Sequence, residues 1–173
     1  MDALLKGFLN SPDSQTKPPT HTLMDGGKFY VPKSKMTAFY KKILKIRFVN
    51  GQNVPPIVER MSDNHPFIVD IDIKYKDKLS ERQYTDETIE KLVSYLYAKL
   101  SDYLELGDDS REVWVQEKDT VYPCKTKGFQ TKDGIHFVFP HIIIDKALYK
   151  TIINLMQSEK VVEDIFAETC AIP

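Results

Sequence analysis

The sequence predicts an α/β fold of the α+β type, a two-layer sandwich in which helices cover a largely antiparallel sheet. Residues 66–75 and 135–140 are rich in β-branched and aromatic side chains, as buried strands are. Residues 85–104 repeat apolar side chains at helical spacing for about five turns. The predicted order of elements is helix, strand, strand, helix, strand, strand, helix, which fits one layer of strands against one layer of helices.

Length and composition exclude several classes of protein. The chain has 173 residues, enough for one domain with a real core, and 42% hydrophobic with 28% charged residues is an ordinary globular composition. Because no apolar run could cross a bilayer and no signal peptide is visible, we expect an intracellular protein that is not secreted and has no membrane partner. Cys124 and Cys170 lie far apart outside any C-x-x-C pair, which predicts reduced thiols and neither a disulfide framework nor a zinc ribbon.

The first third of the chain is predicted to contain an arm, a strand and a helix. Residues 1–20 are rich in turn formers and predict a flexible N-terminal arm, which leaves 21–173 as the domain. Residues 28–32 follow a Gly-Gly turn and predict a short strand. The helical periodicity that follows suggests Ser34 as the N-cap.

That helix carries a basic face formed by Lys41, Lys42 and Lys45. The net charge of the chain is −1, so any binding of nucleic acid needs a local basic surface of this kind. The three lysines are therefore candidates for contacts with template phosphates. The alternative is an ordinary solvated helix face.

The remaining predicted elements follow from local signals. Thr85 can cap the long helix, and Asp145 can cap a second helix that packs through Leu148 and Ile152. Further strands are predicted at 57–61, 112–116 and 142–144, and a further helix at 161–166.

Two aspartates interrupt the predicted strand 66–75. Asp70 and Asp72 are two residues apart, which places both carboxylates on one face of the strand. Two like charges side by side favour a hard divalent cation, Mg²⁺ or Mn²⁺, which can also hold a substrate phosphate. Metal-assisted phosphoryl chemistry is therefore the first hypothesis. The alternative is a strand with an acidic outer face and Lys74 as an ion-pair partner.

A second polar group lies on the predicted strand at 135–140. Lys132 precedes His136 by four residues, and Gly134 between them would let the backbone approach a ligand. Lysine, backbone amide and imidazole together suit a polyphosphate. The alternative is a histidine satisfied within the core, and Asp133 weakens the local positive field. Together with the paired aspartates, the group indicates a nucleotide site.

These residues resemble the first two motifs of archaeo-eukaryotic primases. The motifs are Asp70-Ile-Asp72 and Lys132-Asp-Gly-Ile-His136-Phe-Val-Phe-Pro140, and the pattern is similar to the N-terminal primase-polymerase domain of helicase-primases from large nucleocytoplasmic DNA viruses. The segment 20–32 is also similar, and the resemblance covers roughly residues 20–170. It implies an RRM-like primase catalytic core.

The resemblance also implies an activity and site residues. Asp70 and Asp72 would bind the two catalytic divalent ions, and Lys132, Gly134 and His136 would bind the incoming nucleotide, with His136 part of the catalytic set. Gly134 stands where the family frequently has serine, so a hydroxyl contact would be lost and a backbone contact kept. The implied reaction is primer synthesis from nucleoside triphosphates on a single-stranded DNA template. A helicase in the same full-length chain and a viral replication compartment are also implied.

The family has a third acidic residue on a later strand, and no match for it is visible in this sequence. The remaining acidic side chains fit helix caps or solvent faces better; they are Asp145, Glu163, Asp164 and Glu168. The resemblance therefore implies a partial catalytic domain, truncated at its C-terminus and inactive by itself.

Two other functions compete with primer synthesis. A glycosyltransferase could use Asp-x-Asp to hold the metal of a nucleotide sugar, but 1–65 lacks the glycine-rich strand-turn-helix that it would need. A non-catalytic nucleic-acid-binding module could use Tyr30, Tyr75 and Phe137 as exposed aromatics, although these side chains also suit a core. This second alternative gives no reason for the paired aspartates.

Overall fold

The computed structural model describes residues 6–8, 10–24, 26–54 and 56–170, which divide into two compact units, residues 1–62 and 63–173. The elements of the first unit are α1 (Pro12–Thr16), β1 (His21–Leu23), β2 (Lys28–Phe29), α2 (Lys33–Leu44), a π-helix (Lys45–Val49) and β3 (Ile57–Glu59). Those of the second are β4 (Asn64–Tyr75), α3 (Asp86–Ser101), a 3₁₀-helix (Asp108–Arg111), β5 (Trp114–Glu117), β6 (Tyr122–Pro123), β7 (Thr131–Asp145), α4 (Lys146–Ser158) and α5 (Val161–Thr169).

The first unit is a small antiparallel sheet packed with helices. Its strand order is β2-β1-β3, and its core consists of Leu23, Phe29, Val31 and Phe39. Ser34 is not the N-cap of α2, contrary to the prediction. The helix begins two residues earlier than a Ser34 cap would place it, directly after the extended residue Pro32, so Ser34 lies within the first turn.

The N-terminal segment makes ordered contacts within this unit. The Ser14 hydroxyl accepts a hydrogen bond from the Tyr30 amide at 2.8 Å and donates one to the Phe8 carbonyl at 2.6 Å. The Phe8 ring meets Phe39 edge-on at 5.4 Å. The two units divide after residue 62 and not after residue 20. A flexible arm over 1–20 and a single catalytic domain over 21–173 stay predictions.

The second unit is built on a central pair of long antiparallel strands. β4 and β7 pair along their whole length, and β5 and β6 pair with the other edge of β7. β7 continues through Pro140 as one strand. Its pairing shifts by three residues opposite the step from Pro66 to Phe67, which makes a bulge that accommodates the proline.

Helices α3, α4 and α5 cover one face of this sheet and confirm the predicted two-layer α+β sandwich. Leu92, Leu96 and Leu100 lie at intervals of four on α3 and are fully buried. Each stabilises the unit by about 1.5–3 kcal/mol through removal from water. They pack with strand residues in a core that contains Phe67, Val69, Ile71, Ile135, Phe137 and Phe139.

Both helix caps predicted for this unit are present. Thr85 and Thr88 form a reciprocal capping box at the start of α3, and Asp145 Oδ1 accepts a hydrogen bond of 2.8 Å from the Leu148 amide at the start of α4. Cys124 and Cys170 are free thiols, as predicted. No helix in the described part of the chain is long and apolar enough to cross a membrane.

Alternation along β4 from 67 to 72 and along β7 from 131 to 139 separates the core from the opposite face of the sheet. Val69 and Ile71 are buried, whereas Asp70 between them and Asp72 after them are exposed. Across the pair, residues 135 and 137 are buried and His136 faces outward. The sheet face without helices therefore carries the polar residues that the sequence singled out.

Candidate active site

The uncovered sheet face of the second unit holds an open cleft of about 400 Å³. Five of its lining residues are the ones predicted from the sequence: Asp70, Asp72, Lys132, Gly134 and His136. The antiparallel register explains why they meet, although Asp72 and Lys132 are 60 residues apart in the sequence. Asp70 lies opposite His136, and Asp72 lies opposite Gly134.

Asp70 and His136 face each other without a hydrogen bond. His136 Nδ1 lies 3.8 Å from Asp70 Oδ1, too far for direct bonding, and the Asp70 side chain is 71% exposed. Cross-strand neighbours in this geometry present both side chains to the same volume of solvent. The carboxylate and the imidazole can therefore contact one ligand together.

Asp72 forms an ion pair with Lys132. Lys132 Nζ lies 2.6 Å from Asp72 Oδ1, and this hydrogen bond raises the pKa of the lysine. Asp72 is 54% exposed, so the pair adds little to folding stability and can exchange for a ligand. The alternative partner considered from the sequence, Lys74, lies opposite Lys132 in the register.

Gly134 lies at a close approach of β4 and β7. A Cβ atom at this position would lie 3.2 Å from the Ile71 carbonyl oxygen, closer than side chains normally sit. Its amide already donates to Asp133 Oδ1 at 2.8 Å, and its carbonyl accepts from the Tyr84 hydroxyl at 3.3 Å. The nucleotide-binding role of Gly134 stays a prediction, and its own amide has a partner within the chain.

Asp133 does not weaken the field of the cleft in the way that the sequence suggested. The alternation of β7 buries its carboxylate completely on the helical side of the sheet, where Arg82 Nε lies 3.1 Å from Oδ2. Arg82 also contacts Glu117 Oε1 at 2.7 Å and donates to the Lys118 carbonyl. This arginine compensates the buried charge and ties β7 to the segment after β5.

Sequence reasoning missed half of the cleft lining: Gln116, Glu117, Lys118, Tyr122 and Ile135. Most of these residues come from β5, β6 and the connection between them. Gln116 lies opposite His136 in the register, and Lys118 lies over the Tyr122 ring at 4.7 Å. The polar and aromatic residues of 114–122 were a signal, but only the pairing of β5 with β7 shows that they reach the cleft.

The three lysines proposed for template contact belong to the other unit. Lys41, Lys42 and Lys45 are exposed on α2 and on the following π-helix. The cleft is formed entirely within the second unit. A role for these lysines in template binding stays a prediction.

The cleft supplies part of a ligand set for a divalent cation. Within the described residues, no group of three or more His, Cys, Asp or Glu side chains is arranged to hold a metal ion. Asp70 and Asp72 nevertheless offer two solvent-exposed carboxylates on one face of β4. This donor set fits Mg²⁺ or Mn²⁺, which bind through one or two carboxylates and take their other ligands from substrate phosphates and water.

None of the four acidic residues considered for a third position lines the cleft. Asp145 caps α4, and Glu168 Oε2 lies 2.9 Å from Lys91 Nζ. Glu163 lines another groove, which Asp70 also lines, and Asp164 lies in the first turn of α5. Their positions agree with the caps and solvent faces expected from the sequence.

The family model described as the C962R protein N-terminal AEP domain matches residues 20–171. The chain belongs to this family of archaeo-eukaryotic primase domains. It is also 29% identical over 136 residues to a helicase-named protein, L207/L206, of Acanthamoeba polyphaga mimivirus. That match covers 76% of this chain and 13% of the relative, so the chain spans only a small part of the length of the viral protein.

Family membership confirms the resemblance drawn from the two motifs, and the relative agrees with a primase-helicase context. Archaeo-eukaryotic primase domains generally use divalent metals, which agrees with the chemistry of the Asp70 and Asp72 donor set. The glycosyltransferase alternative has no support from these comparisons.

Proposed function

We propose that this domain is the nucleotidyltransferase core of a primase-polymerase that synthesises primers on a single-stranded DNA template. The observation that carries the proposal is one open cleft lined by two carboxylates of β4 and by the lysine and histidine of β7, Asp70, Asp72, Lys132 and His136. Membership of the archaeo-eukaryotic primase family supports it. A helicase in the same full-length chain is part of the proposal, and the helicase-named relative supports it.

In this proposal each side chain of the cleft has a separate task. Asp70 and Asp72 hold Mg²⁺ or Mn²⁺, which when bound offsets the negative charge of a nucleoside triphosphate. His136 donates a hydrogen bond to a phosphate oxygen. Lys132 releases Asp72 and turns its ammonium group toward the phosphates, a small motion for an exposed side chain.

The proposed reaction joins a primer 3′ oxygen to the α-phosphorus of the incoming nucleotide and breaks the bond to pyrophosphate. Negative charge grows on the departing pyrophosphate as that bond breaks. Lys132 and His136 lie on one strand in position to stabilise this charge. In this proposal the carboxylates act by charge and position.

Replacement of both carboxylates tests the proposal. In the full-length protein, Asp70→Asn with Asp72→Asn should reduce template-dependent nucleotide incorporation to background, measured with Mn²⁺ and labelled nucleoside triphosphates. The fold should stay intact, since the change also relieves like-charge repulsion. A matched control, Asp108→Asn with Asp109→Asn, alters two exposed aspartates on the 3₁₀-helix and should leave incorporation unchanged.

The same variant separates catalysis from the binding-module alternative. A non-catalytic module predicts no incorporation by either protein and equal binding of single-stranded DNA by both. If the Asp70→Asn, Asp72→Asn variant incorporated nucleotides at the wild-type rate, these two residues would not belong to the catalytic site.

A further inference from the structure

Trp114 lies on the same sheet face as the proposed nucleotide cleft. In the register, Gln116 pairs with His136, and Trp114 pairs with Val138, two residues farther along β7. Side chains two residues apart on a strand share a face and are separated by about 7 Å. Trp114 is 51% exposed, although a tryptophan side chain has a large apolar surface whose burial is favourable.

The indole ring is held in place without being covered. Its Nε1 donates a hydrogen bond of 2.7 Å to Glu112 Oε1, and His141 Nε2 lies 2.8 Å from the other oxygen of the same carboxylate. These two contacts lower the pKa of Glu112, which keeps it charged as an acceptor. Within the described residues, no aromatic ring or cation is stacked on Trp114. An oriented π face is therefore open beside the cleft.

Three other described aromatic side chains of the second unit are less suited to such a surface. Tyr75 and Phe137, which the sequence suggested for this role, are buried in the core. Tyr122 lines the cleft, but Lys118 lies 4.7 Å and Lys132 lies 5.9 Å from its ring centroid. Trp114 is the exposed ring that combines an open face with a place next to the cleft.

We propose that Trp114 is a stacking platform for an unpaired nucleobase of the single-stranded nucleic acid that adjoins the nucleotide cleft. Proteins bind single strands by combining cationic groups that follow the phosphates with aromatic rings that stack on bases. Lys118, the cation of the cleft that has no part in binding the incoming nucleotide, provides the first component and Trp114 the second. This inference rests on the proposed function, because the cleft gives the reason for a strand to pass here.

The chain contains one tryptophan, so its own fluorescence reports on the platform. In the 173-residue protein, titration with single-stranded oligothymidylate at low salt should quench or shift the emission of Trp114. Binding of the labelled oligonucleotide, followed by fluorescence anisotropy, should weaken about 5- to 150-fold in Trp114→Leu, the loss of one stacked base. Trp114→Phe, which keeps an aromatic face, should recover most of the affinity.

Tyr103→Leu is the matched control, because Tyr103 is also 51% exposed but follows α3 and does not line the cleft. Its oligonucleotide affinity should equal that of the wild type. Circular dichroism checks the fold of each variant, and the wild-type emission change is a measurement that needs no variant.

Unaltered emission at saturating oligonucleotide, or unaltered affinity of Trp114→Leu, would overturn the proposal and leave this face for a protein partner. Equal weakening in Trp114→Phe and Trp114→Leu would also overturn it, because stacking would not then be the cause.

The carboxylate variant separates this inference from the proposed function. Asp70→Asn with Asp72→Asn should bind oligothymidylate at least as tightly as the wild type, since it removes negative charge near the strand. If that variant keeps nucleotide incorporation while Trp114→Leu loses oligonucleotide affinity, the proposed catalytic site fails and the platform stands. If incorporation depends on the carboxylates and Trp114→Leu binds normally, the platform fails and the proposed function stands.

Discussion

Arg82 and Asp133 form the buried ion pair that supports the cleft from behind. Asp133 has no exposure, and Arg82 gives it a direct partner while also contacting Glu117. Arg82→Met should therefore leave an uncompensated buried carboxylate and lower the free energy of unfolding by about 3–5 kcal/mol. Urea denaturation followed by circular dichroism measures this loss.

The control for that prediction is Arg111→Met, which removes one member of a largely exposed ion pair with Asp108 and should change the unfolding free energy little. Pairing Arg82→Met with Asp133→Leu should recover part of the loss, because the orphaned charge is gone. A loss below about 1 kcal/mol in Arg82→Met would show that water or another cation reaches Asp133.

His21 makes the first unit sensitive to acid. Its Nδ1 lies 2.8 Å from the Thr20 hydroxyl and its Nε2 lies 3.0 Å from the Tyr40 hydroxyl, which donates in turn to Glu59. Burial lowers the pKa of His21 below its usual 6.5, although Glu59 opposes the shift. The neutral imidazole, with its proton on Nε2, satisfies this chain of hydrogen bonds.

The sign of the pH effect follows from the lowered pKa. Above about pH 6.5 the imidazole is neutral in both folded and unfolded chains, and below it the unfolded chain takes up the proton first. Stability of the first unit should therefore fall as the pH drops from 7.5 to 5.5. Hydrogen exchange of the β1 and α2 amides, corrected for intrinsic rates, measures the fall, and His21→Gln should flatten it. An equal pH dependence in His21→Gln would assign the effect to other groups.

At the scale of elements, the N-cap of α4 isolates a local contribution. Asp145→Ala removes the acceptor of the Leu148 amide and should lower the free energy of unfolding by about 1 kcal/mol, whereas Asp145→Asn should keep most of it. Thermal unfolding measures both. Nucleotide incorporation by the full-length protein should be unchanged in either variant. If Asp145→Asn folded normally but lost nucleotide incorporation, Asp145 would again be a candidate for the third metal ligand.

The long elements, in which apolar residues repeat regularly, were predictable from the sequence. The pairing of one strand with another was not. β4, β7, α3 and α4 have enough residues for the alternation or the helical repeat to identify them. β1 has three residues, too few to show a period, and was missed. The strand predicted at 112–116 from its alternation of polar and apolar residues is β5 (Trp114–Glu117), and all four of its residues are exposed because β5 lies at the edge of the sheet beside β7.

The candidate site divides in the same way. The residues of the two motifs were predictable because their spacing on single strands places them on one face. The pair of Arg82 with Asp133 joins residues 51 positions apart, and a sequence carries no local signal for such a contact. The positions of Trp114 and Gln116 near His136 depend on strand pairing, which the pattern within each strand does not specify.

At the scale of the whole molecule, we expect nucleotide incorporation to depend on how many metal ligands the cleft contains. Asp70 and Asp72 are the two exposed β4 carboxylates of the cleft, whereas Glu117, which also lines it, is paired with Arg82. The resemblance to archaeo-eukaryotic primases implies a further acidic ligand on a later strand. We therefore expect the 173-residue protein to fold through its extensive core and to show no template-dependent incorporation. We expect incorporation from a longer natural chain that supplies further carboxylate ligands, because extra ligands hold catalytic cations in the required geometry.

Both proteins should be assayed with Mn²⁺ at equal concentration, with oligothymidylate binding as the control for a folded nucleic-acid surface. Equal incorporation by the two chains would contradict this account. In that case one of the acidic residues already present completes the site, and Glu163, beside the strand that carries Asp70, would be the first to replace.

The alternation of β4 has a consequence for how this domain tolerates change. Phe67, Val69 and Ile71 build the core, and Asp70 and Asp72, which alternate with them, face the cleft. Deleting one residue from this stretch would exchange the two sets, driving both carboxylates under the helices and the apolar side chains into water. No position in the strand is neutral to such a shift. Insertions and deletions of single residues should therefore be absent from functional variants here, even where individual side chains can be replaced.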